Sequence, residues 1–238
     1  MSTLDKVLMR ELRLSRDEVA LLLQQEQVFV NDCMATQAKL SLLYTDRIVV
    51  GRDTPVVVRQ GKSLRYVLYH KSGGVECSLN PDLANSLFHV TDWNDLYPVG
   101  RLDKESEGLV LMTNDGRLYK AITTHDTIEK EYEVTVNRNI SDEELQQLAS
   151  GIEIMGSVTL PAIVKRCDDN KFRIILKEGR NRQIRRMCYK LKLEVEQLVR
   201  VRIYNLWLGE LTSGEFRDAT AEEIELLRSL YKHKFIAG

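Results

Sequence analysis

The sequence predicts an α+β fold in two parts, a small α/β unit over residues 1–54 followed by a larger region built on a mixed, mostly antiparallel sheet. Two observations lead there. Strand-length apolar runs and helix-capping signals alternate irregularly, without the regular βαβ rhythm of a doubly wound sheet. Turn residues separate neighbouring runs, as hairpins require, and no repeat or low-complexity tract interrupts the 238 residues.

The elements follow in chain order. Leu4, Val7, Leu8 and Leu12 recur at helical spacing and form one stripe. Ser15-Arg16-Asp17-Glu18 is a capping box, in which serine and glutamate satisfy each other's backbone amides at a helix start. Val28-Phe29-Val30 and Arg47-Ile48-Val49-Val50 have the β-branched content of short strands. Residues 55–63 mix Pro55, Gly61 and charges and are expected to be a linker, leaving 64–238 as the second domain. There, Leu64 to Tyr69 and Leu109 to Thr113 are apolar runs of strand length, and Asn114-Asp115-Gly116 supplies a turn after the second. Glu131 to Val136 places Tyr132, Val134 and Val136 on one face of a strand. Ser141 to Glu144 is a second capping box, with Gly151 closing that helix. Phe172 to Leu176 reads as a strand, and Thr220 to Glu223 caps a last helix.

Composition removes several classes. With 43% hydrophobic and 29% charged residues, 13 Gly and 4 Pro, the chain is neither collagen-like nor disordered. No apolar run approaches the ~18 residues that span a bilayer, and Met1 to Lys6 lacks a secretory n-region and apolar stretch. Cys33, Cys77, Cys167 and Cys188 lie far apart, so neither a disulfide framework nor a zinc site is expected, and the reducing cytoplasm is the expected compartment. His70, His89, His125 and His233 have no metal-ligand spacing.

The net charge of −1 conceals one local exception. Lys177 to Lys192 carries seven Lys/Arg against one Glu, a net of +6. Such a run fits either a solvated face or a phosphate-contacting patch. The arginine forks of Arg180, Arg182, Arg185 and Arg186, and an apolar stripe of Ile184, Met187, Cys188 and Leu191, favour a helix with one face in the core and the other presenting arginines to phosphate. Treated as one helix, Arg182 and Arg186 share a face and Arg185 stands roughly 60° from Arg182.

Nucleophile elbows, phosphate loops, dinucleotide fingerprints and zinc-protease motifs are absent from the sequence. What remains is Gly100 to Gly108 before a buried strand, where Asp103 on a loop could serve as base or nucleophile. On its own, such an aspartate is as often a turn-former or half of a salt bridge.

Taken together, Val99 to Asp103, Glu107-Gly108-Leu109, Lys130 to Val134 and Glu178 to Met187 resemble the bacterial RsuA/RluB/RluE/RluF pseudouridine synthases, in order and spacing over nearly the whole chain. The first unit resembles an S4 RNA-binding domain through Leu4-Asp5-Lys6, Ser15-Arg16 and Val28 to Asn31. Asn181 to Cys188, Arg202 to Asn205 and Gly151 to Thr159 look most like the RluF branch, which implies large-subunit (23S) rRNA as substrate, with tRNA as a second class. The resemblance further implies a monomeric enzyme without cofactor or metal. Asp103 would be the catalytic carboxylate, acting by attack or by proton abstraction. Tyr132 would stack on a flipped-out uracil, Arg185 would pair with Asp103, and Leu198 would wall the pocket. Lys71, Arg101, Arg180, Asn181, Arg182, Gln183, Arg186 and Arg200 would contact RNA.

Three features depart from the family pattern. His70 to Gly74 lacks the usual proline, which should loosen that turn. Residues 1–54 hold seven Lys/Arg and eight Asp/Glu, and Thr3 stands where an arginine is usual, so this unit should orient RNA more than anchor it. No basic tail is expected beyond Gly238. The competing reading is a non-catalytic S4-type RNA-binding or ribosome-assembly protein, from which Asp103, Tyr132 and Arg185 together argue away; a synthase acting on small-subunit (16S) rRNA is a further alternative.

Overall fold

A computed structural model describes residues 2–42, 46–61, 63–93, 95–124 and 128–236. The first unit contains β1 (Ser2–Thr3), α1 (Leu4–Leu12), α2 (Arg16–Gln24), β2 (Val28–Val30), β3 (Cys33–Met34), β4 (Ser41–Leu42), β5 (Ile48–Val50) and β6 (Val56–Arg59). Helical spacing buries Leu4, Val7 and Leu8 of α1 completely, against Val19, Leu23, Val28, Val30 and Ile48. Arg13 in the left-handed conformation ends α1, and the Ser15–Glu18 capping box starts α2 as the sequence predicts.

The linker over 55–63 is shorter than its composition suggests. β6 pairs antiparallel with β5, in a sheet ordered β3-β2-β5-β6, so Val56–Arg59 belongs to the first unit. Pro55 precedes that strand and is compatible with it, because the missing N–H falls outside the ladder.

The larger region runs β7 (Tyr66–Lys71), α3 (Leu87–Val90), β8 (Tyr97–Val99), β9 (Glu107–Thr113), α4 (Gly116–Thr124), β10 (Lys130–Val136), α5 (Asp142–Ser150), β11 (Glu153–Ile154) and β12 (Ser157–Val158). It continues with β13 (Ile163–Asp168), β14 (Lys171–Leu176), α6 (Gln183–Lys190), β15 (Val195–Ile203), β16 (Leu206–Trp207), β17 (Phe216–Asp218) and α7 (Ala221–Ile236). The main sheet is ordered β13-β14-β10-β15-β9-β7-β17, with β16 beside β15 and β8 beside β9. All pairs described in it are antiparallel except β9 with β15, where Glu107 faces Val199 and Gly108 faces Arg200. This is the mixed, mostly antiparallel architecture expected.

The parallel pair is a seam between cores. On one side Val134, Val136, Phe172 and Ile174 pack with Ile184, Met187 and Cys188 of α6. Beyond it Val67, Tyr69, Val110 and Met112 pack with Leu87, Leu96 and Leu102. Gly108 makes the seam possible: its φ is +104°, and a Cβ there would stand 2.4 Å from the Arg200 carbonyl oxygen. Only glycine tolerates both that backbone and that approach.

Asp115, fully buried after β9, ties several elements together. It accepts hydrogen bonds from the Tyr66 hydroxyl of β7 and the Tyr231 hydroxyl of α7, both at 2.9 Å, and from Arg117 Nε at 2.7 Å. Arg117 reaches on to Asp46 of the first unit at 3.6 Å, so this contact joins the two units besides the chain itself. Among the described residues no helix is long and apolar enough to cross a membrane.

Candidate active site

Asp103 lies on the loop from β8 to β9, at the near end of the seam. Leu102, 7% exposed, and Ser106, 1% exposed, anchor the loop on either side and leave the Asp103 side chain partly open. The Ser106 amide donates to the Asp103 carbonyl at 3.1 Å, closing a tight turn.

Three basic side chains hold this loop from beneath, each through oxygen atoms other than carboxylates. Lys71, fully buried, donates from Nζ to the carbonyls of Ser72 (2.8 Å), Val75 (2.7 Å) and Lys104 (3.1 Å). Arg200, also buried, donates to the carbonyls of Leu109 (2.7 Å) and Arg101 (3.4 Å), and its Nη2 has no partner among the described residues. Arg185 donates to the Val195 carbonyl at 3.2 Å and the Ser106 hydroxyl at 3.4 Å. Burial pushes the Lys71 ammonium below its ordinary value. Such placement costs energy, which three well-aligned carbonyls per ammonium offset in part. The result is a loop whose backbone is clamped while its carboxylate stays accessible.

The expected pairing of Arg185 with Asp103 is not what forms. The cation at Asp103 is Arg182, with Nη1 3.8 Å from Oδ2 and 2.9 Å from Glu105 Oε2. The reason is local. α6 begins at Gln183, and Arg182 is its N-cap in the left-handed conformation (φ 50°), so its side chain leaves the helical phase assumed for a continuous basic helix. The Glu105 bond holds the Arg182 guanidinium above its ordinary value and the Glu105 carboxyl below its own.

Several residues expected on RNA are structural instead. Lys71 and Arg200 are buried as described. Arg180 donates to Glu178 and to the Ser157 and Val158 carbonyls, stapling the β12 region to the start of the basic run. Gln183 is 4% exposed and bridges the Arg180 amide and Glu178. Arg182 is engaged by two carboxylates. Arg101 and Asn181 are exposed, and Arg186, also exposed, donates to the Asn181 carbonyl and Oδ1. Leu198 is core, 5% exposed beside Val134, rather than an open wall. Tyr132 is half-buried opposite Arg200 and touches the cores on both sides of the seam.

The turn without proline is also firmer than expected, because Lys71 fixes two of its carbonyls and the Gly74 amide donates to Lys104 at 2.8 Å. Sequence reasoning passed over Glu105, Ser106 and Glu178. The first two stand in the Gly100 to Gly108 stretch and Glu178 within the basic run; proximity to Asp103 and Arg180 is the available signal. Of the histidines, His125 lies outside the described residues; His70 Nδ1 bonds the Leu211 carbonyl and His89 Nε2 the Pro81 carbonyl, so both are structural.

An aspartate loop clamped by cations, beside an aromatic on a mixed sheet, agrees with comparison by sequence: residues 65–190, more than half the chain, match the family of RNA pseudouridylate synthases. The chain belongs to this family, within its RsuA/RluF group, and is an isomerase of RNA uridine. It is 36% identical over 212 residues to the Dual-specificity RNA pseudouridine synthase RluF of Shigella flexneri, covering 88% of this chain and 72% of that one. It is 32% identical over 231 residues to the Ribosomal small subunit pseudouridine synthase A of Vibrio vulnificus, covering 93% and 97%. A crystal structure of a pseudouridylate synthase superposes with a TM-score of 0.66 over 95% of this chain and 100% of that one, at 29% identity.

Proposed function

We propose that this synthase converts a uridine of large-subunit (23S) rRNA to pseudouridine, with tRNA as a second substrate class, and that Asp103 carries the chemistry. The observation that carries the site assignment is the clamped loop: a carboxylate with its backbone fixed by Lys71, Arg185 and Arg200 meets the positioning that catalysis demands. The large-subunit reading is supported by the motifs shared with the RluF branch and by the 36% identity to a relative named as dual-specificity.

A uridine within folded RNA must leave its stack before its C1′ can be reached. Tyr132, half-buried at the seam, offers a flat face for the extruded base. The N1–C1′ bond breaks, the base turns, and C5 bonds to C1′. The proton lost from C5 is matched by one gained at N1, so the reaction balances without a co-reactant. Arg182 holds the aspartate side chain from outside the loop, and exposed Arg101 and Arg186 meet phosphates. We further assign the first unit, ending at β6, the role of S4-type RNA-orienting domain.

A second reading, small-subunit (16S) rRNA, is favoured by the 32% identity over 231 residues to a relative named as a small-subunit synthase. Mapping pseudouridine in rRNA and tRNA from cells with and without the protein separates the two. A 23S position lost on deletion supports the first reading, and a 16S position the second. Asp103→Asn keeps the side-chain shape but loses the charge, so it should bind RNA nearly as well and form no product. Product formation near the wild-type rate would remove Asp103 from the chemistry.

A further inference from the structure

A concavity lies between α6 and the β11–β12 turn, lined in part by Arg182 and Arg185, with a volume of about 550 Å³. That size is within the ~300–1,000 Å³ range of small-ligand clefts. Arg186 and Lys190 line it one helical turn apart, beside Tyr189 from the same face of α6, and Met155 lines it from the turn. Glu194 is the acid among its lining residues, against the four cations.

Two of these side chains are unusual. Tyr189 is 79% exposed and Met155 65% exposed, the two highest values among the exposed large hydrophobic residues described. Neither the Tyr189 hydroxyl nor the Lys190 ammonium has a hydrogen-bond or ion-pair partner among the described residues. Arg186 uses Nε and Nη2 on Asn181, leaving Nη1 for a ligand. An open aromatic beside the Lys190 ammonium and the Nη1 of Arg186 is the composition that binds single-stranded nucleic acid, with stacking on the ring and phosphate on the cations.

We propose that this groove is a nucleotide subsite, taking an unpaired nucleotide of the substrate RNA that flanks the target uridine, its base on Tyr189 and its phosphate between Arg186 and Lys190. This rests on the proposed placement of the chemistry at Asp103, since Arg182 and Arg185 line the groove and also contact the Asp103 loop. The subsite would select targets with a second unpaired base next to the modified one, in a way that base pairing to a guide or readout of a groove would not.

The test is a thermodynamic cycle on the full-length protein with an RNA transcript containing the mapped target uridine. The wild type, Tyr189→Ala, Tyr189→Phe and Lys190→Ala are each measured against that transcript and against versions made abasic at one flanking position at a time. Tyr189→Ala should weaken binding about tenfold and Tyr189→Phe less than about twofold, because stacking needs the ring and not the hydroxyl. One abasic transcript should cost the wild type a similar factor and cost Tyr189→Ala nothing further. Lys190→Ala should lower the slope of log affinity against log salt by about 0.7, the value for one single-strand phosphate. Additive losses at every abasic position, or wild-type affinity in Tyr189→Ala, would overturn the subsite. An effect seen on ribosomal particles and absent on the transcript would also overturn it, and would point to a protein on this face. Failure of the Asp103 assignment is read separately, as product formation by Asp103→Asn, while the binding cycle keeps its meaning.

Discussion

Arg182 Nη1 stands 3.8 Å from Asp103 Oδ2 and shares its charge with Glu105, so one N-cap residue connects α6 to the aspartate loop. Both side chains are a third or so exposed, which limits such a pair to about 0–1 kcal/mol of folding stability. Its value is therefore orientation. Arg182→Ala should leave the melting temperature close to wild type and reduce the single-turnover rate about tenfold, equivalent to ~1.4 kcal/mol of barrier. Arg185→Ala should do more to stability, because it removes donors to Val195 and Ser106 inside the fold. Thermal melts beside single-turnover rates check both; a rate unchanged in Arg182→Ala would show the pair to be incidental.

Arg200 offers a different balance. It is 1% exposed and has carbonyl partners but no carboxylate within ion-pair distance among the described residues. Replacing a buried charge with an apolar side chain of similar size recovers desolvation energy, while leaving two carbonyls unpaired costs about 1–3 kcal/mol each. Arg200→Met should therefore change unfolding free energy little and still lower turnover, because the Arg101 carbonyl loses its tether. Denaturant unfolding and kcat, measured on the same preparation, are the readouts; loss of the fold would mean the guanidinium is principally structural.

Asp115 is one of several carboxyls that shape the acid limb of stability. Burial raises its carboxyl, but hydrogen bonds and charge from Arg117, with the Tyr66 and Tyr231 hydroxyls, outweigh burial and hold it below the ordinary carboxylate value. Burial, helped by the Asp115 charge, in turn pushes the Tyr66 hydroxyl up to about 12. Because the folded value is the lower one, this stabilisation is complete above ~3.9, the unfolded value, and is lost as pH falls through the folded value. Asp115→Asn should cost about 3 kcal/mol at neutral pH, the low end for breaking a buried pair, since it removes the nearer charge partner of the largely buried Arg117 and leaves Asp46 at 3.6 Å. It should also flatten the decline of stability below pH ~4. Urea unfolding from neutral pH downward tests both; an acid limb as steep as wild type would assign it to other carboxylates.

Where the chain is cut should matter more than composition suggests. Removing residues 1–54 would leave β6 without β5 and Arg117 without Asp46. Removing 1–61 takes the orphan strand as well. The longer deletion should give the better-behaved catalytic domain, with a modest loss of RNA affinity and a larger loss of target choice. Size-exclusion profiles compare the two, and modification of non-target RNA reports the choice; equal behaviour would mean that β6 is dispensable to either unit.

The sequence by itself determined what depends on near neighbours along the chain. The Leu4–Val7–Leu8 stripe and the Ser15 and Ser141 capping boxes appear where expected, because helical spacing and side-chain caps act over three or four residues. The α6 apolar face of Ile184, Met187 and Cys188 was legible for the same reason. Asp103 stood out as a loop carboxylate before a buried strand, and its resemblance to a family motif did the rest. Tertiary structure decided which charges face solvent. Lys71 and Arg200 read as surface cations, yet both are buried, because carbonyls at positions 101, 104 and 109 converge on them from the loop and strand that flank the seam. It also decided which arginine meets Asp103, since a single left-handed residue at Arg182 shifts that side chain out of helical phase. Contacts between residues 70 to 100 positions apart depend on a parallel pairing of β9 with β15, and local periodicity carries no information about which strands become neighbours.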